Sequence, residues 1–391
     1  MLDKCGVLFW PVGTGDSTTF IVRADEIIFQ VDLRHTTKSE DDETDCAPII
    51  DHLEENLPKV DGEPYLSAFA LTHPDEDHIL GFAELLDRVT IGELWFTPRV
   101  FREHDDGDDS MCEDAEAFRD EAHRRVTATI KAGGDPGSGD RVRLIGYDTL
   151  LEEEPYKGFP KEFFSVPGHV VTTLDGEELE GELRVFIHAP FKQDDSVGDR
   201  NDTSLVMQVV LGDDPATGGV LIFGDHKYPT IRKIFDVSKA NDNEDDLKWQ
   251  ILLAPHHCSK SVMYQDEEGT EVLKKDILSD FERLQIGDGI VVSSSLSVPK
   301  SNSSGDNPPH AKAKARYEEI ASGGFLCTHD DGEPAKPLQF NLVEKQLVLD
   351  ESSSDDDSDS DNGKSALAAA VATARGSDKT PSEKVGFGQW G

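Results

Sequence analysis

The chain has 391 residues, 79 of them acidic and 38 basic, for a net charge of −41. Only −4 of that charge lies beyond Asp350, so the body itself repels free DNA and anionic membranes unless a positive face is hidden in the total. A generic basic nucleic-acid-coating protein is excluded, and so is a membrane span, because no apolar run approaches the ~20 residues a bilayer requires.

In chain order, Gly6–Trp10 and Ser17–Val22 read as strands separated by the turn-forming Gly13-Thr14-Gly15-Asp16, and Glu26–Asp32 as a third strand ending in a carboxylate. Ile49–Asn56 has helical spacing of its apolar residues. Ser67–Leu71 is a strand that runs directly into Thr72-His73-Pro74-Asp75-Glu76-Asp77-His78. Phe82–Asp87 opens a helix and Ile91–Thr97 is a strand. From about 101 to 134 the texture changes: an acidic loop, Glu103–Asp109, leads to an amphipathic helix, Cys112–Lys131, read as an insertion that caps or flanks a site. Gly137–Asp148 is a turn and strand, followed by a Gly/Glu/Pro-rich stretch to about Glu182. Strands resume at Leu183–His188, Ser204–Val210, Val220–Phe223, Trp249–Leu253 and Gly289–Val292, with helices at Tyr228–Val237, Val272–Leu284 and Ala311–Ser322. Gly324–Thr328 and Leu338–Val343 close the body as strands. Strands and helices alternate in two β-rich stretches, which predicts an α/β (α+β) architecture: a sandwich-like β core covered by helices, spanning residues 1–349. Residues 350–391 turn to Ser and Asp, then to an Ala-rich piece, Ser365–Arg375; such a segment cannot bury a core and is predicted to be a disordered acidic tail. Its Phe387 and Trp390 suit docking to a protein partner, against the plainer reading of a solubilising tail.

Five cysteines (Cys5, Cys46, Cys112, Cys258 and Cys327) occur without Cys-x-x-Cys spacing. An odd, dispersed set predicts reduced thiols rather than disulfides. The N-terminal stretch lacks a secretory pattern, and the expected location is the cytoplasm.

Chemistry concentrates in Thr72–His78, where two histidines and two aspartates fall within six residues after an apolar strand. Such a loop can send His73 and Asp75 to one metal ion and Asp77 and His78 to another. Leu221-Ile222-Phe223-Gly224-Asp225-His226 is a second apolar strand, ending in a carboxylate suited to bridging two ions. Ile251–Leu253 then leads into Ala254-Pro255-His256-His257-Cys258-Ser259. An apolar strand followed by a ligand-type residue thus occurs three times.

These motifs resemble the metallo-β-lactamase superfamily, in particular the soluble hydrolase domain of ComEC-type competence (DNA-uptake) proteins. VGTGDS at Val12–Ser17 is similar to that group's opening strand–loop–strand, with Asp32 at the expected strand-end position. LTHPDEDHILGF resembles its His-x-Asp-x-Asp-His signature, NDTSLVMQV its Asn-x-x-Ser-Leu-Val strand, LIFGDH its Gly-Asp motif and APHHCS its His-His-Gly-Ser motif. VVSSS and NPPHAKAKARYEEI resemble the terminal Ser and His-Pro region. The similarity runs in order from about Gly6 to Val343.

The resemblance implies a four-layer αββα sandwich and a dinuclear centre of zinc or manganese: His73 and Asp75 on one ion, Asp77 and His78 on the other, Asp225 bridging. One or both of His256 and His257 complete the second ion. A further histidine is expected where this chain has Asn201-Asp202, leaving Asp202 or Asn201 as the substitute, and Cys258 stands in place of a glycine as either a small filler or a soft ligand. The implied reaction is hydrolysis of phosphodiester bonds, in DNA or a nucleotide, by a metal-bridged hydroxide. Asp77 would orient the nucleophile, and His310 would protonate the leaving oxygen or hold a phosphate. Lys312, Lys314 and Arg316 either meet an anionic substrate or form a solvated helix face. Ester, lactone or thioester hydrolysis on the same site is the second enzymatic reading, and a non-catalytic interaction module with a vestigial metal site the third.

Overall fold

Successive residues of a strand face opposite sides. In β1 (Gly6–Phe9) Val7 and Phe9 face one apolar layer and Leu8 another, and all three are fully buried. A strand buried on both faces needs covering on both, and that requirement sets the architecture. The structure, a computed structural model, describes residues 2–39, 46–101, 111–192, 203–301, 307–330 and 336–350.

In chain order the other strands are β2 (Thr18–Arg23), β3 (Ile27–Val31), β4 (Lys59–Val60), β5 (Glu63–Ala70), β6 (Thr90–Phe96), β7 (Arg141–Ile145), β8 (Phe164–Ser165), β9 (Val170–Val171), β10 (Thr173–Leu174), β11 (Glu177–Glu178), β12 (Arg184–Ala189), β13 (Val206–Val210), β14 (Gly219–Ile222), β15 (Trp249–Leu253), β16 (Tyr264–Glu267), β17 (Thr270–Leu273), β18 (Gln285–Ser293), β19 (Gly324–Cys327), β20 (Leu338–Val343) and β21 (Gln346–Leu349). The helices are α1 (Ile49–Asn56), the single turn α2 (Glu76–Ile79), α3 (Phe82–Arg88), α4 (Glu113–Ala132), α5 (Tyr228–Ala240), α6 (Lys275–Leu284) and α7 (Ala311–Ile320). Among the described residues no helix is long and apolar enough to cross a membrane.

The first sheet has the order β21-β20-β1-β2-β3-β5-β6-β7-β8, antiparallel as far as β3 and parallel from there to β8. The second runs β19-β18-β15-β14-β13-β12-β9, parallel from β19 to β14 and antiparallel beyond. Three apolar layers separate four structural ones. Phe20, Phe29 and Trp95 of the first sheet meet Met207, Ile222 and Ile251 of the second in the centre. On the outer face of the first sheet, Phe69 and Leu94 pack under Leu53, Phe82 and Phe118 of α1, α3 and α4. On the outer face of the second, Leu221 and Leu252 pack under Ile234, Phe281 and Tyr317 of α5, α6 and α7. The αββα order expected from the motifs is the order observed.

The helix of the 101–134 segment packs within the outer layer. It is the crossover between the parallel strands β6 and β7, and its Asp114 carboxylate accepts the Gly81 and Ala83 amides at the start of α3 (both 2.9 Å). The acidic loop before it and the tail beyond Asp350 lie outside the described residues, except for Phe101 and Met111 at the loop's margins. The helix expected over Val272–Leu284 starts only at Lys275, because Thr270–Leu273 pairs with β16 as a hairpin around Glu268-Gly269, both at positive φ. In the Gly/Glu/Pro-rich stretch, Asp175 is tied down by charge. The buried Glu93 accepts the Asp175 amide (2.7 Å) and faces Arg143 (3.2 Å), while Arg141 binds the Asp175 carboxylate (2.7 Å).

One polar network crosses the buried face of the first sheet. Trp10 Nε1 donates to Thr19 Oγ1 (2.8 Å), which donates to Gln30 Oε1 (2.5 Å). Gln30 Nε2 donates to Ser17 Oγ (3.0 Å) and to the Asp32 carbonyl (2.6 Å). That carbonyl belongs to a residue with φ +54°, in the left-handed region. Gln30 therefore holds the strained end of β3. On the other sheet, His188 of β12 is buried between Ser238 Oγ (3.1 Å) on α5 and the Asp246 carbonyl (2.8 Å), and so fixes the helix that follows Asp225.

Two outcomes follow from these buried groups. Replacing Gln30 by Leu leaves the Asp32 carbonyl only the long Ser17 hydroxyl bond (3.4 Å) and the Thr19 hydroxyl proton without its acceptor, at an expected cost of about 1–3 kcal/mol in urea unfolding; an unchanged midpoint at constant m-value would show the network to be idle. Burial pushes the His188 imidazole down from 6.5 to about 4, against the Asp246 carbonyl bond and with Arg184 nearby. The unfolded chain then takes up a proton between pH 6.5 and 4 that the folded chain refuses. Stability is full above that window and falls on acidification, by roughly 3 kcal/mol at pH 4. The advantage of wild type over His188→Gln should shrink across that range; a gap independent of pH would refute it.

Candidate metal centre

Ligand-bearing loops in layered α/β folds emerge at the carboxyl ends of parallel strands. Here β5 of one sheet and β14, β15 and β18 of the other end at a common edge. The Leu205 amide donates across the seam to the Thr72 carbonyl (2.9 Å) and the His256 amide to the Gly224 carbonyl (3.0 Å). Two glycines permit the close approach. Gly224 has φ +53°, and a side chain there would meet Ser204 Cβ at 3.1 Å. A Cβ on Gly15 would lie 2.6 Å from the Asp77 carbonyl, which already accepts the Asp16 amide at 3.0 Å.

Asp225 is the meeting point. Its Oδ1 lies 3.3 Å from His78 Nε2 and 3.5 Å from His257 Nε2; its Oδ2 lies 3.8 Å from His73 Nε2 and 3.6 Å from His256 Nε2. Asp77 completes the Oδ1 side, 3.2 Å from His257 Nε2 and 3.9 Å from His78 Nε2. Asp75 completes the Oδ2 side, 3.8 Å from His73 Nε2. The two oxygens of one carboxylate thus face two separate sets of donors.

Each imidazole on the Oδ1 side is steered from behind. Asp32 Oδ2 lies 2.8 Å from His78 Nδ1 and takes the Thr72 hydroxyl at 2.7 Å, while Asp32 Oδ1 takes the Thr72 amide at 2.7 Å. His257 Nδ1 faces the Ser294 carbonyl (3.2 Å) and Asp16 Oδ1 (3.3 Å). On the other side His73 Nδ1 lies 3.1 Å from Thr72 Oγ1. With the Nδ1 protons engaged, the Nε2 lone pairs point inward, which is how second partners orient metal-binding histidines. The Nε2 atoms of His73, His78 and His257 and Oδ1 of Asp225 are buried and make no well-aligned hydrogen bond among the described residues. This donor set, imidazole nitrogens and carboxylates with their backs tied, fits divalent cations.

Electrostatics point the same way. Burial opposes a charge on His78 and His257, yet Asp225 with Asp32 for the first, and Asp225 with Asp16 for the second, raise both well above the ordinary range. Burial likewise works against charge on Asp225, and the His257 and His78 imidazoles hold it well below the usual carboxylate range. His256 is lowered by burial. The pocket attracts positive charge.

The two histidines after β15 occupy a strained turn. His256, His257 and Cys258 have φ +51°, +52° and +65°, three consecutive left-handed residues, each costing on the order of 1 kcal/mol or more outside glycine. The Cys258 thiol is fully buried among the outer-layer residues with its Sγ 3.9 Å from the His310 carbonyl, and burial pushes it up to about 12. It fills space in the outer layer where the motif has glycine.

The structure therefore brings His73, Asp75, Asp77, His78, Asp225, His256 and His257 together. Asp202 and Asn201 lie outside the described residues. His310 caps α7 on the strained turn: its amide donates to the Cys258 carbonyl (3.1 Å) and its Nδ1 accepts the Lys260 amide (3.2 Å), so a neutral ring carries its proton on Nε2. Asp16 is the residue that sequence reasoning passed over. It groups with His78, Asp225 and His257 within 4.8 Å, but its oxygens face Nδ1 atoms (3.3 Å to His257, 4.0 Å to His78), behind the rings rather than among the inward Nε2 atoms. Its signal was the carboxylate closing the Gly-Thr-Gly-Asp turn. His329 accepts the Gly13 amide (2.7 Å) and Ser294 donates to the Gly15 carbonyl (2.6 Å), which fixes that turn in place.

No family model and no curated protein matches the chain. Among solved structures it is similar to the metallo-β-lactamase fold protein YhfI from Bacillus subtilis, at 10% identity over 86% of this chain and 100% of that one with a TM-score of 0.41. It is similar also to Zn(2+)-bound PqqB from Methylobacterium extorquens (12% identity, 83% and 87% coverage, TM-score 0.42) and to a diphosphatase from the PhnP family (10%, 86% and 87%, 0.36). The strand order and the three apolar layers of the chain itself define its fold.

Proposed function

We propose that this protein is a metal-dependent hydrolase of the metallo-β-lactamase type that cleaves phosphodiester bonds at a centre of two divalent ions, zinc or manganese. The observation that carries the reading is Asp225, whose two oxygens face two separate sets of imidazole and carboxylate donors. His73 and Asp75 would hold one ion, Asp77, His78 and His257 the other, with Asp225 shared. When bound, such ions supply Lewis acidity and activate water for attack on phosphorus or a carbonyl.

The protein's own groups have separable tasks. Asp32 and Asp16 hold His78 and His257 in orientation. Asp77, with a side chain 34% exposed at the mouth of the cluster, is placed to orient an incoming nucleophile. His310, with its proton on Nε2, is the donor for a leaving oxygen.

A small phosphodiester suits the site better than a long polynucleotide. The three bases after His310 are engaged: Lys312 pairs with Glu271, Arg316 with Glu319 (2.6 Å), and Lys314 lies over the Phe325 ring. Those pairings favour the solvated-face reading.

With protein loaded with Mn or Zn, wild type should hydrolyse bis-(p-nitrophenyl) phosphate and Asp225→Asn should not. Asp32→Asn, which only unsettles His78, should lose about 10–100-fold in activity or metal affinity. Turnover of p-nitrophenyl esters or lactones in place of the phosphodiester would transfer the reaction to acyl chemistry. Bound metal with neither activity would return the protein to a binding role.

A further inference from the structure

His256 and His257 are neighbours in sequence, and the motif resemblance places one or both on the second ion. Their geometry separates them. His257 Nε2 lies 3.5 Å from Asp225 Oδ1 and 3.2 Å from Asp77, on the side of His78. His256 Nε2 lies 3.6 Å from the other oxygen, Oδ2, the one that faces His73 Nε2 at 3.8 Å. The two rings stand almost perpendicular, at 86°, with centroids 6.2 Å apart. An extended backbone would throw successive side chains to opposite faces. The left-handed run from His256 to Cys258 instead turns both rings toward one carboxylate, and the His256 amide is pinned to the Gly224 carbonyl immediately before Asp225. This gives the strain of three left-handed residues a purpose.

We propose that His256 is a ligand of the first ion, completing the set His73, Asp75, Asp225 and His256 in place of the ligand expected at Asn201-Asp202. One strained turn then serves both ions, His256 on one side of Asp225 and His257 on the other. The inference rests on the dinuclear reading above, and the experiment separates the two.

Metal content after equilibrium dialysis against Mn(2+) or Zn(2+) alone is the readout, with no need for activity. Asparagine is the substitution of choice, since it tolerates left-handed backbone; His256→Gln serves as a second variant, and circular dichroism and thermal unfolding confirm that each protein is folded. Wild type should bind about two ions per chain and His256→Asn about one. The pairs decide which ion is lost. His73→Asn with His256→Asn should still bind about one ion, since both residues serve the same position, whereas His256→Asn with His257→Asn should bind none. Two ions retained in folded His256→Asn and His256→Gln would overturn the assignment. So would the reverse pattern, with none bound in the His73/His256 pair and one in the His256/His257 pair. A folded wild type that binds no metal would sink the dinuclear reading itself, a result distinct from either.

Discussion

A carboxylate buried at the seam of two β-sheets must be answered by positive charge, and Asp225 is that carboxylate. Water is excluded from it, and an isolated charge in such a place would cost several kcal/mol. The surrounding structure is arranged around this constraint. Four imidazoles approach its two oxygens, and behind them Asp16 and Asp32 add further negative charge. Adding carboxylates around a buried carboxylate is sensible only if the balance is restored by cations. Without ions, protons on His78 and His257 supply it; with them, the same nitrogens are free to bind.

The cost of this arrangement appears in the backbone. Asp32, Gly224, His256, His257 and Cys258 all sit at positive φ, in the segments that follow β3, β14 and β15. Strain of that kind persists only where surrounding contacts over-determine it. They do so here: Gln30 grips the Asp32 carbonyl, the Gly224 carbonyl takes the His256 amide, and His310 donates to the Cys258 carbonyl. The cores on either side of the sheets anchor these contacts.

Much of this was legible in the sequence because it depended on periodicity and punctuation. Helix α1, strand β15 and strand β20 begin and end where their apolar spacing says they should. The motif Thr72–His78 and the strand-end Asp225 announced themselves by residue type after an apolar run. The β20–β21 hairpin did not, because its two-residue turn is Glu344-Lys345, at φ +50° and +68°, without the Gly or Asn that marks such turns. Asp16 was hidden for a different reason. The turn-closing carboxylate marks the position, but its role depends on which nitrogen of His257 it faces, and that is settled by packing between segments some 240 residues apart. The division of labour between His256 and His257 is likewise a matter of backbone handedness, which two adjacent histidines do not reveal.

The acidity of the chain bears on recognition as well as solubility. The body carries nearly all of the −41 charge, and three bases near the strained turn and α7 are committed to neighbours: Lys260 and Lys312 to Glu271, Arg316 to Glu319. An anionic substrate approaching this edge gains little from those side chains. On the dinuclear reading the bound ions themselves are then the main source of positive charge at the site, so that occupancy governs substrate binding together with chemistry. On the same reading a surface this acidic would disfavour polyanions that cannot bring a small group down to the ions. On that reading long-range repulsion sets the selection first, and an ion-loaded centre would offset it only at close range, where screening is weak and the dielectric low.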